Sequence, residues 1–375
     1  MTDARFDTEA MTSVLQGWVA RESPTMDAAA VNKMQDLVQA FFSVDSCQVE
    51  RIPGRNGLGD TLKVTAGTAN GKPPILVLSH VDTVHPLKTI ERDLPLRRDG
   101  DRLYGPGIYD MKGGAYLASE AFRDVANKSS ARRPLVFLFT PDEEIGSPTT
   151  RAMIEDEGRR AGYVLVTEPA RDGGRIVTSR KGVGRFEVHV EGRPAHSGSR
   201  HQDGRSAIRE AARQILAIEE LTDYGRGITT TVGRVQGGTA ANVIPQHCRF
   251  DVDLRVTNVA DGQQLERQIL ALRPFDGDVS LRITGAMNRP PLAKTPEIQA
   301  LYDHAVECAR TCGFDLPEAP MTGGGSDGNF TAAIGTPTLD GLGCDGDGAH
   351  TLHEHCFVSS LAPRAALMAR LLETL

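Results

Sequence analysis

The chain has no CxxC pair, no run of basic residues and no apolar stretch of membrane-spanning length. Its six cysteines, at 47, 248, 308, 312, 344 and 356, are scattered. Cys308 and Cys312 share a helix face at i,i+4, but no zinc-knuckle partners flank them, so buried free thiols are expected. The first residues, MTDARFDTEAMTSVL, carry acids where a secretory leader needs an apolar core, so a reducing cytoplasm is the expected compartment. A formal net charge of −7, without a basic run to cover a phosphate track, argues against general nucleic-acid binding. Without a long apolar segment no membrane partner is expected either. Repeats and low-complexity tracts are also missing. What remains is an ordinary globular balance spread over 375 residues, which predicts one large and one smaller domain.

Residues 1–40 read as helical, with Val14, Leu15, Trp18 and then Met34, Leu37, Val38 and Phe41 at helix spacing. PPILVLSH (73–80), PLVFLFT (134–140) and YVLVTE (163–168) are continuous apolar runs, and helical patterns over 112–127 and 149–159 separate them. Such runs predict parallel strands covered on both faces. From about Lys181 the pattern changes. KGVGRFEVHVEG alternates like a strand with one wet face, and helix (205–220), strands (228–235, 247–257), helix (261–272) and strand (278–284) follow. This β-α-β-β-α-β order predicts a ferredoxin-like insert. TPTLDGL (336–342) returns to the apolar style, and a final amphipathic helix closes the chain. The expected fold class is therefore α/β: a doubly wound mixed sheet over 1–180 and 289–375, interrupted by an α+β domain over 181–288.

The chemistry-bearing residues follow the apolar runs. His80 and Asp82 end the first, Glu143 and Glu144 the second and Glu168 the third, while Asp110 lies in GPGIYDMKGG and His350 in GDGAHTLHEHC. Taken singly, an HxD is an ordinary core or surface pair, DEE a solvated loop and a strand-end Glu a cap. Their joint occurrence at successive strand ends, where open α/β sheets bind ligands, points instead to one crevice. Two divalent ions about 3.5–4 Å apart need an anionic bridge. Asp110 supplies it, Glu144 and Glu168 add one charge to each ion, and neutral His80 and His350 complete the shells. Nitrogen and oxygen donors without thiolate favour two Zn²⁺, with cobalt or manganese as substitutes. Asp82 is expected to accept the second ring N–H of His80 and fix its tautomer. Glu143, beside a ligand but free, suits a general base.

SHVDTV, YGPGIYDMKGG, TPDEEIGS, the Glu-Pro of VTEP and GAHTLHE occur in this order over nearly the whole chain. On these motifs it resembles the dinuclear zinc peptidase/deacylase family of glutamate carboxypeptidase, acetylornithine deacetylase, succinyl-diaminopimelate desuccinylase and aminoacylase. The resemblance implies that His80, Asp110, Glu144, Glu168 and His350 are ligands and Glu143 the base. It also implies a cis peptide at Asp110–Met111, and a zinc-binding α/β domain interrupted by a ferredoxin-like lid that often dimerises. In the family pattern His-x-x-x-Glu, His350 aligns with the ligand and Glu354 with the later acid; His353 is expected at the surface.

Five further features resemble the family's substrate contacts. His196 of GRPAHSG would hold the tetrahedral oxyanion, often from the partner subunit. Asn242 of GGTAANVIP would lie near bound substrate. Arg255 matches an arginine that grips the substrate carboxylate, though without the resemblance it reads as a strand-end salt bridge. TGGGSDG, centred on Gly325, offers backbone N–H groups for an anion, with a plain turn as the bland alternative. Arg289 of MNRPP matches an arginine of glutamate carboxypeptidase-like members.

The expected activity is release of a C-terminal amino acid, with glutamate the first candidate, from a small N-acyl or peptide substrate bearing a free carboxylate. The alternative is an N-acyl-amino-acid deacylase of the acetylornithine or succinyl-diaminopimelate type. A non-catalytic metal- or ligand-binding dimer is more remote, because Glu143 is present. A nucleotide-dependent oxidoreductase fails on GPGIYDMKGG, whose glycine spacing is not GxGxxG and whose Asp110 would face the phosphates.

Overall fold

The computed structural model describes residues 5–68 and 71–375. Residues 1–4, where the first expected domain begins, and 69–70 lie outside the described residues. The chain forms two compact units. The larger comprises the chain to Ser179, Lys294–Thr322 and Ser326–Leu375; the smaller comprises Arg180–Ala293 and Gly323–Gly325.

The larger unit is built on six strands: β1 (Cys47–Ile52), β2 (Thr61–Ala66), β3 (Ile75–His80), β6 (Leu135–Thr140), β7 (Tyr163–Val166) and β12 (Thr338–Leu339). Their order is β1-β2-β6-β3-β7-β12. The last four run parallel, while β1 and β2 are antiparallel additions. Four short strands, β4 (Arg97–Asp99), β5 (Arg102–Tyr104), β13 (Gly346–Asp347) and β14 (His355–Phe357), make a second sheet. The helices are α1 (Thr8–Val19), α2 (Ala28–Phe41), α3 (Thr89–Arg92), α4 (Gly113–Lys128), α5 (Arg151–Arg160), α8 (Pro296–Thr311), α9 (Gly328–Ala333) and α10 (Leu361–Thr374).

The apolar runs are continuous because both faces of the sheet are covered. Ile75 and Val77 of β3, with Leu135, Phe137 and Phe139 of β6, face a core shared with α1, α2, α4 and α10. The alternate residues Leu76, Leu78, Val136 and Leu138 face Ile154 of α5 and Phe330 of α9. Trp18, Phe42, Tyr116, Phe122, Phe137 and Phe139 are almost wholly buried in the first layer. Phe137 lies 4.0 Å from Phe139, centroid to centroid.

The expected helical stretch over residues 1–40 is two helices. Pro24 interrupts it, and Asp27 caps α2 by accepting from Ala30 N at 3.0 Å. The interruption has a use. Thr83 N donates to Ser23 O at 2.9 Å, Thr25 N to Thr83 O at 3.2 Å, and Ser23 Oγ to Val81 O at 2.6 Å. A second tight approach forms at the start of α4, where a Cβ on Gly114 would come within 2.0 Å of Thr167 O. Only glycine lets this helix abut the end of β7 so closely.

The smaller unit contains β8 (Gly182–Glu191), α6 (Ala207–Glu219), β9 (Thr229–Gly237), β10 (His247–Val256), α7 (Val259–Leu270) and β11 (Ser280–Arg289). Its antiparallel order is β11-β8-β10-β9. Phe186, Val188 and Val190 pack with Phe250, Val252 and Leu254 against Ala211 and Ile218 of α6 and Leu265 and Ile269 of α7. β11 runs five residues beyond the expected strand end at 284. Gly285, which ends the apolar–polar alternation, sits at φ +129, where a Cβ would meet Arg185 O at 2.2 Å. The strand therefore continues through a glycine demanded by close approach to β8.

Replacing Phe137 with alanine should destabilise the larger unit by about 3–5 kcal/mol, through lost burial and a residual cavity. Val14→Ala, at a side chain 42% exposed, should change stability by less than about 0.5 kcal/mol. Urea unfolding midpoints of the two variants check this ordering.

Candidate metal centre

The parallel strands β3, β6 and β7 end on the same side, with His80 paired to Thr140 and Leu78 to Val166. The residues that follow each end therefore meet. His80 Nδ1 lies 2.9 Å from Asp82 O, a carbonyl that only accepts, so Nδ1 carries the proton. Nε2 then faces Asp110 Oδ1 at 3.3 Å and Glu168 Oε1 at 3.9 Å.

Asp82 faces His80 Nδ1 through two groups. Its main-chain carbonyl is the nearer, and its carboxylate Oδ1 stands at 3.4 Å. The carboxylate also accepts from Glu143 N and Glu144 N, each at 3.3 Å, and from Thr25 Oγ1 at 2.7 Å. One buried carboxylate thus reaches both His80 and the turn that bears the two glutamates.

Asp110 divides its oxygens between the two histidines. Oδ1 faces His80, and Oδ2 lies 3.3 Å from His350 Nε2. His350 Nε2 also lies 3.1 Å from Glu144 Oε2. Two donor groups lie within 4.8 Å: His80, Asp110 and Glu144, and His80, Glu143 and Glu168. Glu143 therefore sits within reach of the same space as the expected ligands. His350 adopts φ +64, an unusual backbone for a non-glycine residue and one that clusters at functional sites. The Asp110–Met111 peptide is cis.

The electrostatics are those of a cation site. Burial alone would push Asp110 up, but hydrogen bonds from His350 and His80 outweigh it and hold the carboxyl well below its usual range. Burial pushes Glu144 up. Burial opposes charge on His80, yet Asp110 and Asp82 raise it well above the ordinary imidazole value. Hydrogen bonds to Asp110 and Glu144 lift His350 to about 11. Among the described residues, Glu144 Oε1 is buried without a hydrogen-bond partner. An orphaned carboxylate oxygen beside other acids and two imidazoles fits divalent cations.

The other expected contacts belong to the smaller unit. His196 Nδ1 accepts from Gly198 N and Ser199 N, both at 3.2 Å. Its neutral form therefore carries the proton on Nε2, free to donate. Ser197 N donates to Asn242 O at 3.0 Å, so the structure places His196 and Asn242 side by side. Arg255 makes the strand-end salt bridge, with Nε and Nη2 on the Asp253 carboxylate at 2.7 and 2.8 Å and Nη1 on Gly323 O at 3.1 Å. Arg289 is buried, and a Cβ on Gly325 would come 2.7 Å from its Cδ. In TGGGSDG the Ser326 and Gly328 amides are already taken, by Asn329 Oδ1 and Ser326 Oγ. His353 is exposed, as expected.

Three residues at the site were not anticipated in these roles. Thr25 braces Asp82, Glu354 accepts hydrogen bonds from the Asp110 loop, and His85 contacts Glu354. The available signals were Glu354 of the His-x-x-x-Glu pattern and a second histidine in HVDTVH.

Peptidase family M20/M25/M40 matches residues 76–374. Carboxypeptidase G2 of Pseudomonas sp. (strain RS-16) is 28% identical over 372 residues, covering 97% of this chain and 88% of its own. A succinyl-diaminopimelate desuccinylase of Ralstonia nicotianae (strain ATCC BAA-1114 / GMI1000) is 30% identical over 366 residues, covering 91% and 93%. The crystal structure of aminopeptidase PepT from Bacillus cereus ATCC 10987 shares the fold, with a TM-score of 0.78 at 23% identity over 99% of both chains. With a matching family over most of its length and a cation site at its strand ends, the chain belongs to peptidase family M20/M25/M40 and is a metal-dependent hydrolase.

Proposed function

We propose that the protein is a two-metal amide hydrolase that releases a C-terminal amino acid, glutamate the first candidate, from a small N-acyl or peptide substrate. The observation that carries the reading is Asp110, whose two oxygens face two different histidines. His80, Glu168 and Asp110 would hold one ion, and His350, Glu144 and Asp110 the other. The ions, two zinc or their cobalt or manganese substitutes, would polarise the scissile carbonyl and acidify an attacking water. Glu143 takes the proton of that water and returns it to the departing amine. Its main-chain N–H, tied to Asp82, keeps the carboxylate beside the His80–Glu168 pair. His196, with Nε2–H free, suits donation to the developing oxyanion. Asn242 would lie near bound substrate, and the guanidinium of Arg289 suits its free carboxylate, whereas the Arg255 fork is engaged by Asp253 and Gly323.

The desuccinylase similarity supports the second reading, an N-acyl-amino-acid deacylase. Release rates from N-acyl-glutamate, acetylornithine, succinyl-diaminopimelate and simple dipeptides separate the two. We further infer a homodimer through residues 181–288, supported by exposed Leu216 of α6 and Val235 on the edge strand β9. Cytoplasmic residence is supported by six free cysteines.

Glu143→Ala should keep both metals and lose about 10²–10⁴-fold in kcat; elemental analysis showing metal loss would overturn the assignment of base. His196→Ala should lower kcat about 10²–10³-fold with KM little changed, as read from steady-state kinetics.

Protons on His80 and His350 hold the metal-free site together at neutral pH, since both pKa values are raised. Ligation needs the deprotonated rings, so metal affinity should rise with pH. Zn²⁺ uptake at pH 7 should release at least about one proton. Calorimetry in buffers of different ionisation heats measures this directly, and zero release would contradict it.

A further inference from the structure

The Asp110 loop closes on itself with wide main-chain turns, Lys112 N donating to Gly107 O at 2.9 Å and Gly113 N to Ile108 O, which leave the amides of Gly107, Tyr109 and Asp110 to other acceptors. Gly107 is left-handed at φ +70, and Asp110 and Met111 depart from helical geometry within a distorted turn. Its amides instead converge on one buried carboxylate. Glu354 Oε1 accepts from Tyr109 N and Asp110 N at 2.9 Å each, and Oε2 accepts from Gly107 N at 2.9 Å. His85 Nε2 lies 2.7 Å from the same Oε2. Glu354 and His85 are 1% and 6% exposed. The carboxylate's acceptor positions are therefore filled from two segments, and its own main-chain O accepts from Gly105 N at 3.4 Å. Glu354 also stands four residues after His350, so one short segment carries a candidate ligand and the clamp on another.

We propose that Glu354 and His85 are positioning residues: together they hold the Asp110 carboxylate at the height and rotation needed to serve two cations at once. The proposal rests on Asp110 being the bridge. The physical reason is steric economy. A bridging carboxylate must hold both oxygens to within about half an ångström of the positions two ions require, whereas a terminal ligand tolerates rotation. Fixing the Asp110 main-chain N–H, and two further amides upstream, removes the freedom that would let one oxygen swing away. His85 in turn fixes the carboxylate that does the fixing, and links residues 83–88 to the same clamp.

The test uses Co²⁺ titration of the metal-free full-length protein, read by equilibrium dialysis and by the cobalt visible spectrum. The variants are Glu354→Gln, His85→Ala and His85→Gln. Glu354→Gln is nearly isosteric but turns an N–H group toward the donors. The wild type should take up two Co²⁺. In Glu354→Gln the second should bind about 10–100-fold more weakly, with the first little changed and kcat falling more than KM rises. His85→Ala should show a smaller loss in the same direction, and His85→Gln, which keeps an N–H donor, should recover part of it. Should Glu354→Gln not fold, the two His85 variants carry the test alone. If the wild type binds two Co²⁺ and folded variants bind both as tightly, the brace is wrong while the two-metal reading stands. If the wild type binds only one, the two-metal reading falls and takes the brace with it.

Discussion

Everything in the larger unit is arranged around the mutual repulsion of carboxylates gathered at buried strand ends. Three parallel strands finish side by side, and each is followed by acids: Asp82 after β3, Glu143 and Glu144 after β6, and Glu168 after β7. Like charges in a poorly solvated place are costly unless positive charge stands among them. Among these acids that charge is supplied by His80 and His350, both made more basic by the acids they face. A divalent cation held by the same groups would offset the same repulsion.

Much of this was legible in the sequence because the relevant signals are local. A strand buried on both faces writes itself as an unbroken apolar run, as ILVLSH and LVFLFT do, and the chemistry follows immediately after each. Insert strands with one wet face write themselves as alternation, as GVGRFEVHVE does. Other features were not legible. CQVERI, the edge strand β1, is half wet and charged, and it becomes a strand only through pairing with β2. The strands of the small second sheet are two or three residues long, too short to carry a period.

The roles of Asp82 and Glu354 show the same limit within the site. Spacing alone placed Asp82 beside His80, and its carboxylate does face that ring, but it also holds the Glu143–Glu144 amides and Thr25, 57 residues earlier in the chain. No window on the sequence reports such a contact. The break between α1 and α2 looks like a fault in a helix until the Ser23–Thr25 stretch is seen against residues 81–83. Lys112 follows this logic too. It is fully buried, desolvation lowers it to about 8, and its Nζ donates to Arg21 O at 2.5 Å, tying the metal loop to the end of the same first helix.

The adjacency of Glu143 and Glu144 poses the sharpest problem, since neighbouring acids face different partners. In an extended strand they would point to opposite faces, and one would be lost to the core. In an α-helix both would lie within about 100° of each other on one side. The chain uses neither. Glu143–Ile145 is a single 3₁₀ turn, in which successive side chains diverge by about 120°. The turn is bounded on one side by Asp142, whose carboxylate is held by Thr149 and Thr150, and on the other by left-handed Gly146. Glu144 is thereby delivered toward Asp110 and His350, and Glu143 toward His80 and Glu168. Which acid faces which partner is then a matter of backbone geometry. Two identical side chains, one residue apart, reach different groups because the peptide between them turns by a third of a circle.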